Sequence, residues 1–303
     1  MVSTLEEKEK LRAFAKQVDV ISLENENIPP QVIEDLQAIT PVYPGVAALR
    51  CAGDRLNEKT LAKQLDIPCG RYYPVDSSEE LQEAMDQLKK PAILKTRRLG
   101  YDGKGQWRLN PNGSYEQVCQ QTRGQSCILE EVVDFTSECS LLAVRNVKKE
   151  TRFYPLMHNV HEQGILRRSW VGDFSCELQE RAQQYGSRLL EHLDYVGVLA
   201  IEFFLTRDGA LWFNEMAPRV HNSGHLTIEA CNVSQFESHL RAVCDMPLPE
   251  IKVTRHHLFM QNVIGEKPNT SWQGQESLVG VYDYGKTPRP GRKCGHLVFS
   301  NHK

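Results

Sequence analysis

The chain of 303 residues is long enough for two or three lobes, and its 40% hydrophobic and 25% charged residues are typical of a globular protein. The formal net charge of −3 excludes a general basic field for nucleic acid, and no apolar run approaches the roughly 20 residues of a membrane span. Nine cysteines without a CxxC spacing indicate reduced thiols in a cytoplasmic protein, and argue against a zinc site or a disulfide framework.

The first part of the chain predicts helices alternating with short strands. Residues 3–16 predict a helix that Ser3 could cap, and residues 20–23 predict a short strand. Pro30 is placed in the first turn of a second helix, and Asp54 is placed to cap a third. This order is that of the second half of a βαβ nucleotide-fold lobe. Because the strand has no earlier strand to pair with, we expect the sequence to begin inside a domain.

A glycine-rich loop follows the next helix and strand. A capping box of Ser77 and Glu80 begins that helix, and the strand at residues 92–94 ends in Lys95. Glycines let the backbone approach a phosphate closely, although this loop matches neither a Walker loop nor a dinucleotide fingerprint. Lys95 supports a phosphate-binding loop, and a plain hairpin is the alternative. The loop contains Gly100, Tyr101, Asp102, Gly103, Lys104, Gly105 and Gln106.

The next strand carries acidic residues that are open to two interpretations. Residues 128–133 predict a strand that contains Glu130 and Glu131, and Glu138 lies further along. Backbone amides of such a strand can bind an adenine edge and a carboxylate can accept ribose hydroxyls, but the segment by itself favours a plain strand with solvated glutamates. His158 and His161 have no further soft ligands nearby, which favours packing or polar surface over a metal site.

Residues 200–225 predict a hairpin on which the functional argument depends. Asp208-Gly209 is a turn signal, because Gly accepts the positive φ that a tight turn requires. The period of two places Glu202 with Ala200 and Phe204 on one face. By the same spacing, one face of the second strand carries Leu211, Phe213 and Glu215.

Glu202 and Glu215 are thus carboxylates embedded in apolar strands. Buried charges are costly, and two close carboxylates repel each other unless a cation bridges them. Mg²⁺ is the natural cation, because it takes few protein oxygens and fills its other positions with water and phosphate. A sheet-edge hairpin with solvated glutamates is the alternative. Possible anion donors follow directly: Arg219, His221, Asn222 and His225.

The later segments predict a supporting helix and a strand-rich end. A capping box of Ser234 and Glu237 begins a helix that we expect to pack behind the site on its stripe of Phe236, Leu240 and Val243. The last segment reads as strands and turns. It ends soon after a strand at residues 297–299, so we expect an incomplete C-terminal lobe. A plausible anion site near its end clusters Arg289, Arg292, Lys293 and His296.

Several of these motifs agree with one family. The segments KTRRLGYDGKGQ, YPLMHNVHEQGIL, NEMAPRVHNSGH and RPGRKCGH resemble those of 5-(carboxyamino)imidazole ribonucleotide synthase, an ATP-grasp enzyme of purine synthesis, from about residue 17 to the end. The resemblance implies that ATP phosphorylates bicarbonate and that the carboxyl group passes to the amine of aminoimidazole ribonucleotide, giving ADP and phosphate. It also implies ATP and Mg²⁺ as cofactors, a homodimer, and no nucleic-acid or membrane partner.

The resemblance also implies an architecture. The fold class is α+β, with a partial pre-ATP-grasp α/β lobe at residues 1–51 and a small β-rich lobe at residues 250–303. Between them lies an ATP-grasp domain at residues 52–249, with a mobile lid at about residues 95–150. Family members normally open with a strand and a GQLGRM-like glycine turn, and this sequence contains neither.

Site roles are carried over from the family onto matching positions. The catalytic group would be Arg219 with Glu202 and Glu215, and the two glutamates would bind Mg²⁺. Ala217 stands where the superfamily often has Asn, and Asn214 precedes the second glutamate. Ribonucleotide contacts would come from Tyr101, Asp102, Arg292 and Lys293. Nucleotide contacts would come from Arg55, Lys95, the loop from Gly100 to Gln106, Glu130, Glu131, Val132, Val133, Glu138, His161, Asn214 and Glu215.

Two alternatives compete with this hypothesis. The first is another ATP-grasp ligase, such as a formate-using glycinamide ribonucleotide transformylase, against which HNSGH and RKCGH argue. The second is a non-catalytic nucleotide-binding fragment of the family. The presence of Lys95, Glu202, Glu215 and Arg219 argues for retained chemistry.

Overall fold

The structure is a computed structural model that describes residue 5 and residues 7–100, 103–269 and 277–300. The expected cap Ser3 and the loop residues Tyr101 and Asp102 lie outside these described residues. Within the described part of the chain, no helix is long and apolar enough to span a membrane. All nine cysteines are free thiols.

Helices and strands are interspersed along the described residues. The helices are α1 Lys8–Ala15, α2 Pro30–Gln37, α3 Val46–Ala52, α4 Arg55–Gln64, α5 Ser78–Leu88, α6 Glu116–Gln121, α7 Cys176–His192, α8 Thr227–Ala230 and α9 Gln235–Val243. The strands are β1 Ile21–Ser22, β2 Val42–Tyr43, β3 Tyr72–Val75, β4 Ala92–Thr96, β5 Gln106–Leu109, β6 Cys127–Glu131, β7 Phe135–Arg145, β8 Thr151–Phe153, β9 Met157–Glu162, β10 Ile165–Val171, β11 Gly197–Thr206, β12 Leu211–Ala217, β13 Leu258–Ile264, β14 Ser277–Asp283 and β15 Lys293–Ser300.

The predicted helix caps are confirmed where the structure describes them. The Asp54 carboxylate accepts a hydrogen bond from the Leu56 amide, and the Ser77 hydroxyl accepts one from the Glu80 amide. In a capping box, Glu80 would accept a hydrogen bond from the Ser77 amide. Here it accepts instead from the amide of Asp76, one residue earlier, at 2.6 Å. Side-chain caps satisfy amides that a helix leaves unpaired, which explains why such short motifs are predictive.

The predicted apolar stripe of α9 is correct at Val243, which is buried, but wrong at Leu240. Leu240 is 59% exposed, whereas the buried side of the helix carries the polar residues Gln235, Ser238 and His239 beside Ala242 and Val243. His239 explains this orientation, because its Nδ1 accepts a hydrogen bond from the Val198 amide and its Nε2 contacts the Ser22 hydroxyl. Polar partners inside the molecule therefore decide which face of α9 is buried.

Two larger sheets carry the central part of the molecule. One has the strand order β12-β11-β7-β9-β10-β13-β15-β14, with β8 added beside β7, and the other has the order β3-β6-β4-β5. On β11, Leu199, Ile201 and Phe203 face a core that also contains residues of α4 and α7, while Val198 and Ala200 face a second core. The large sheet is thus covered on both faces. This explains why the sequence of β11 is almost continuously apolar.

The two sheets divide the chain at positions of their own. The smaller sheet with α5 and α6 spans residues 72–131, and β7 pairs with β11 in the large sheet. The strands β13, β14 and β15 also extend the large sheet, so the expected C-terminal lobe shares its sheet with the central domain. At the other end, β1 and β2 pair in parallel over a separate small core.

Candidate active site

A cavity of about 190 Å³ lies where the parts of the chain converge. Glu26 reaches it from the loop after β1, Gly100 from the glycine-rich loop, and Lys293 from the start of β15. Its other polar lining residues are Asn27, Arg55, Glu58, Arg97, His161, Glu202, Glu215, Arg219, His221 and Asn222. The cavity therefore brings both predicted metal carboxylates together with Arg55, Arg219 and Lys293.

A β-bulge brings the two predicted metal carboxylates together. The hairpin of β11 and β12 pairs Phe203 with Phe213 and then Glu202 with Glu215, so that Asn214 is an extra residue without an opposite partner. The expectation that Phe213 and Glu215 share a face is wrong, because the bulge inserts one residue into the alternation. Without it, Glu202 would face Asn214. The bulge thus places both glutamates on the same face.

Each carboxylate contacts a different nitrogen-bearing side chain. The Arg55 guanidinium donates from Nη1 to Glu215 at 2.6 Å, while His221 Nε2 lies 3.3 Å from Glu202 Oε1. Burial and the charge of Glu215 raise the pKa of Glu202. Burial also acts to raise the pKa of Glu215, but Arg55 outweighs it and lowers that pKa. The pair is electrostatically unequal, as expected for two close carboxylates of which one has a cationic partner.

His221 is held as a neutral donor. Its Nδ1 accepts a hydrogen bond from the Ser223 amide at 3.3 Å, which leaves the proton on Nε2, the atom that faces Glu202. Burial, together with the charges of Arg219 and Lys293, lowers the pKa of His221.

The donor set of this pair fits Mg²⁺. Among the residues that the structure describes, no three or more His, Cys, Asp or Glu side chains form a metal-binding group. Mg²⁺ does not require one, since it is commonly bound by one or two carboxylates together with substrate phosphates and water. Glu202 and Glu215 oppose each other on one face and line the cavity, which is the arrangement that such a site needs.

Arg219 faces the N-terminal region of the chain. Its Nη2 donates to Glu26 Oε1 at 2.9 Å, and its Nε donates to the other oxygen of the same carboxylate. The guanidinium lines the cavity but is engaged by Glu26, a residue that the sequence argument did not assign. A bidentate pair of this kind fixes the plane of the guanidinium.

The glycine-rich loop connects two antiparallel strands. Lys95 of β4 pairs with Gln106 of β5, so the loop is a hairpin connection, and Gly100 at its start lines the cavity. Arg55 donates to the Gly100 carbonyl at 3.4 Å. The two readings of this loop are therefore compatible, because a hairpin connection can also cover a phosphate.

The predicted adenine segment is built around a buried carboxylate. Lys95 and Lys59 both contact Glu130 Oε2 at 3.1 Å, and Glu130 Oε1 is buried without a hydrogen-bond partner among the described residues. The Val132 amide donates to the Pro91 carbonyl at 3.0 Å and so is already engaged. Glu131 pairs with Arg71 and lies outside the cavity lining.

The two histidines of β9 have different surroundings. His161 Nδ1 lies 2.7 Å from Glu138, and burial acts to lower its pKa while this carboxylate raises it overall. His158 instead stacks between Trp170 and Phe174, with ring centroids at 5.1 and 4.1 Å. Of these two histidines, only His161 lines the cavity.

The predicted second anion site is only partly assembled. Lys293 lines the cavity, whereas Arg292 lies outside its lining and donates to the Thr287 carbonyl at 3.2 Å. His296 stacks on Tyr282, with ring centroids 4.4 Å apart. His225 was a possible anion donor, but burial lowers its pKa to about 3, and its Nδ1 lies 2.8 Å from the Tyr284 hydroxyl.

Sequence reasoning named Arg55 at the start of α4 but missed Glu58 and Lys59 on the inward face of the same helix. Arg55, Glu58 and Lys59 are spaced so that they share one side of this helix. The Met216 amide donates to Glu58 Oε1 at 2.9 Å, and Lys59 donates to the carbonyls of Phe213 and Asn214. The sequence signal for this face was the spacing of three charged residues on a helix that Asp54 caps.

Comparisons with known proteins agree with this geometry. The family model described as ATP-grasp domain matches residues 60–236, that of the ribonucleotide synthetase preATP-grasp domain matches residues 1–53, and that of the phosphoribosylaminoimidazole carboxylase C-terminal domain matches residues 259–303. The predicted fold class is thereby confirmed.

Curated relatives and solved structures point to the same family. The N5-carboxyaminoimidazole ribonucleotide synthase of Pseudomonas aeruginosa is 45% identical, over 97% of this chain and 81% of the relative. The Escherichia coli enzyme of that name is 40% identical, over 94% and 79%.

A Thermus thermophilus synthetase structure superposes with a TM-score of 0.91 at 41% identity, covering 100% of this chain and 82% of that one. The Aspergillus clavatus synthase, in complex with ADP and 5-aminoimidazole ribonucleotide, has a TM-score of 0.88 at 27% identity, covering 99% and 81%. The chain belongs to the N5-carboxyaminoimidazole ribonucleotide synthase family of ATP-grasp ligases.

Proposed function

We propose that this protein carboxylates 5-aminoimidazole ribonucleotide with bicarbonate at the expense of ATP, giving 5-(carboxyamino)imidazole ribonucleotide, ADP and phosphate in purine biosynthesis. The observation that carries the proposal is that two opposed carboxylates, Glu202 and Glu215, line the same cavity as the cations Arg219 and Lys293. The family of this protein supports 5-aminoimidazole ribonucleotide as the substrate, since the Aspergillus clavatus relative was crystallised with ADP and this ribonucleotide.

The charged side chains would have separate roles in the reaction. Glu202 and Glu215 would hold Mg²⁺, which when bound supplies positive charge to the transferring phosphoryl group. Arg55 keeps Glu215 ionised through the 2.6 Å contact, so that this carboxylate is ready to bind a cation. Arg219, oriented by Glu26, lies beside these groups and would stabilise negative charge on the transferring phosphoryl group or on carboxyphosphate.

Binding of the two large substrates would use different elements of the chain. Lys95, Glu130, Glu138 and His161 support a nucleotide site formed by β4, β6, β7 and β9. Lys293 supports a site for the ribonucleotide phosphate at the start of β15. The proposal also includes a homodimer, a cytoplasmic location, and domains at residues 1–51, 52–249 and 250–303.

The test is a coupled assay of ADP release with the ribonucleotide and bicarbonate varied separately. We expect ADP release to require ATP, Mg²⁺, bicarbonate and 5-aminoimidazole ribonucleotide together, because the described residues that line the cavity include no Ser, Thr or Cys nucleophile and the site would act by positioning. Formate with glycinamide ribonucleotide is the matched control for the competing ligase. Equal ADP release with that pair, or release that ignores bicarbonate, would overturn the proposal.

A further inference from the structure

The outer edge of β12 is completed by side chains of α4. This strand is at the end of the large sheet, and its free edge faces α4 and the segment before β3. The Phe213 amide donates to the Pro68 carbonyl at 2.7 Å, and the Met216 amide donates to Glu58 at 2.9 Å. Between these two contacts lies the bulge, whose carbonyls require other partners because an extra residue interrupts the ladder.

Lys59 supplies those partners. Its Nζ lies 2.7 Å from the Asn214 carbonyl oxygen and 3.3 Å from the Phe213 carbonyl oxygen, and 3.1 Å from Glu130 Oε2. An ammonium group has three N–H donors, one for each of these oxygens. The side chain is only 4% exposed, so the cost of burying its charge is offset by the carboxylate and the two carbonyls.

We propose that Lys59 is a positioning residue for the reaction: it holds the bulge at Asn214 that turns Glu215 toward Glu202. It does not line the cavity, and its contacts point to the backbone of β12 rather than to a substrate. If the bulge relaxed into regular pairing, Asn214 would replace Glu215 opposite Glu202. The inference rests on the proposed metal role of the two glutamates.

The contact of Lys59 with Glu130 also links the two sheets. Glu130 belongs to β6 in the smaller sheet, whereas Asn214 belongs to β12 in the large sheet. One ammonium group therefore joins the strand that carries a metal carboxylate to the strand expected to lie beside adenine. Lys95 contacts the same oxygen of Glu130 from β4, so Glu130 keeps a cationic partner when Lys59 is replaced.

The test replaces Lys59 with Met, which has a similar length but no hydrogen to donate. We expect the Mg²⁺ concentration for half-maximal ADP release to rise by about 10- to 100-fold, the usual effect of removing a side chain that orients a metal ligand. The KM for 5-aminoimidazole ribonucleotide should stay near the parental value. Lys63→Met is the matched control, because Lys63 is exposed on the same helix.

A purely structural role for Lys59 would give a different result. A loss of stability lowers the amount of active enzyme, and hence the apparent kcat, but leaves the Mg²⁺ requirement of the folded molecules unchanged. A folded Lys59→Met enzyme with the parental Mg²⁺ requirement would therefore overturn the proposal. Lys59→Leu also lacks a donor and serves if the Met variant does not fold. An unchanged Mg²⁺ requirement in it would overturn the proposal equally.

Glu215→Gln separates this inference from the function on which it rests. If that variant kept the parental response to Mg²⁺, the metal role of Glu215 would be wrong, and with it the reason for holding the bulge. If Glu215→Gln lost the response while the Lys59 variants kept it, the metal role would stand and only the positioning role of Lys59 would be rejected.

Discussion

At the scale of single residues, the properties of Glu215 depend on a partner distant in sequence. Arg55 lies 160 residues earlier and contacts its carboxylate at 2.6 Å. Glu202, directly opposite, has no such guanidinium and its pKa is raised by burial and by Glu215. Two residues of the same type in one hairpin therefore differ in charge behaviour because of their surroundings.

Replacing Glu215 with Gln tests this difference. The change keeps the size of the side chain but removes its charge, and we expect the rate of ADP release to fall about 10²-fold or more, as for loss of a preorganised charged group. The measurement is steady-state turnover at saturating Mg²⁺ and ATP, with folding checked by circular dichroism. Glu180→Gln, exposed on α7, is the control. Parental turnover by the Glu215 variant would contradict the metal assignment.

At the scale of elements, α4 is joined to the glycine-rich loop through its cap. The Asp54 carboxylate is 2% exposed and accepts from Arg97 at 2.9 and 2.8 Å and from Arg98 at 3.1 Å. The Arg55 amide also donates to the Arg97 carbonyl. The start of α4 and the segment that leads from β4 into the loop therefore form one hydrogen-bonded unit.

The pH dependence of stability tests this unit. Burial acts to raise the pKa of Asp54, but Arg97 and Arg98 lower it below the usual 3.8. A lowered folded-state pKa stabilises the protein above the unfolded value, and that contribution is lost as pH falls through the folded value. Asp54→Asn keeps a capping side chain but loses the charge, so we expect a loss of about 1–3 kcal/mol at neutral pH.

The difference in unfolding free energy between the parent and Asp54→Asn should be constant from about pH 6 to 8, and should shrink below about pH 4. Urea titrations across this range measure it. Asp86→Asn, exposed on α5, is the control and should show little difference from the parent. A difference that persisted undiminished at acid pH would show that the charge of Asp54 does not stabilise this unit.

At the scale of the whole molecule, the site exists only where separate parts of the chain meet. Glu26 comes from the N-terminal region, Glu202 from the large sheet, and Lys293 from the strand that ends the described chain. The pairing of Glu26 with Arg219 joins the first of these regions to the residues that follow β12. The substrates are thus expected to contact several regions of the chain at once.

The adjacent cations Lys293 and Arg292 test whether the ribonucleotide phosphate binds in this cavity. Lys293 lines the cavity and Arg292 does not, so we expect Lys293→Ala to raise the KM for 5-aminoimidazole ribonucleotide by about 10-fold or more, the size of a lost charge-assisted hydrogen bond. Arg292→Ala should change it little, and the KM for ATP should stay near parental in both variants. A larger effect from Arg292 would move the phosphate site away from the cavity.

The sequence by itself determined the features that depend on neighbouring residues. The turn at Gly209, with φ of +81°, and the caps of α4, α5 and α9 involve residues only a few positions apart, so their patterns were sufficient to predict them. The motifs also identified the family and most of the polar side chains that line the cavity.

Only the tertiary structure decided how those side chains pair. The bulge at Asn214 cannot be read from a period-two pattern, because one inserted residue moves every following side chain to the other face. The contacts of Glu26 with Arg219, of Arg55 with Glu215, and of Lys59 with the bulge join residues more than 150 positions apart. Their geometry is set by the packing of α4 and the N-terminal region against the edge of the large sheet, which no local sequence pattern encodes.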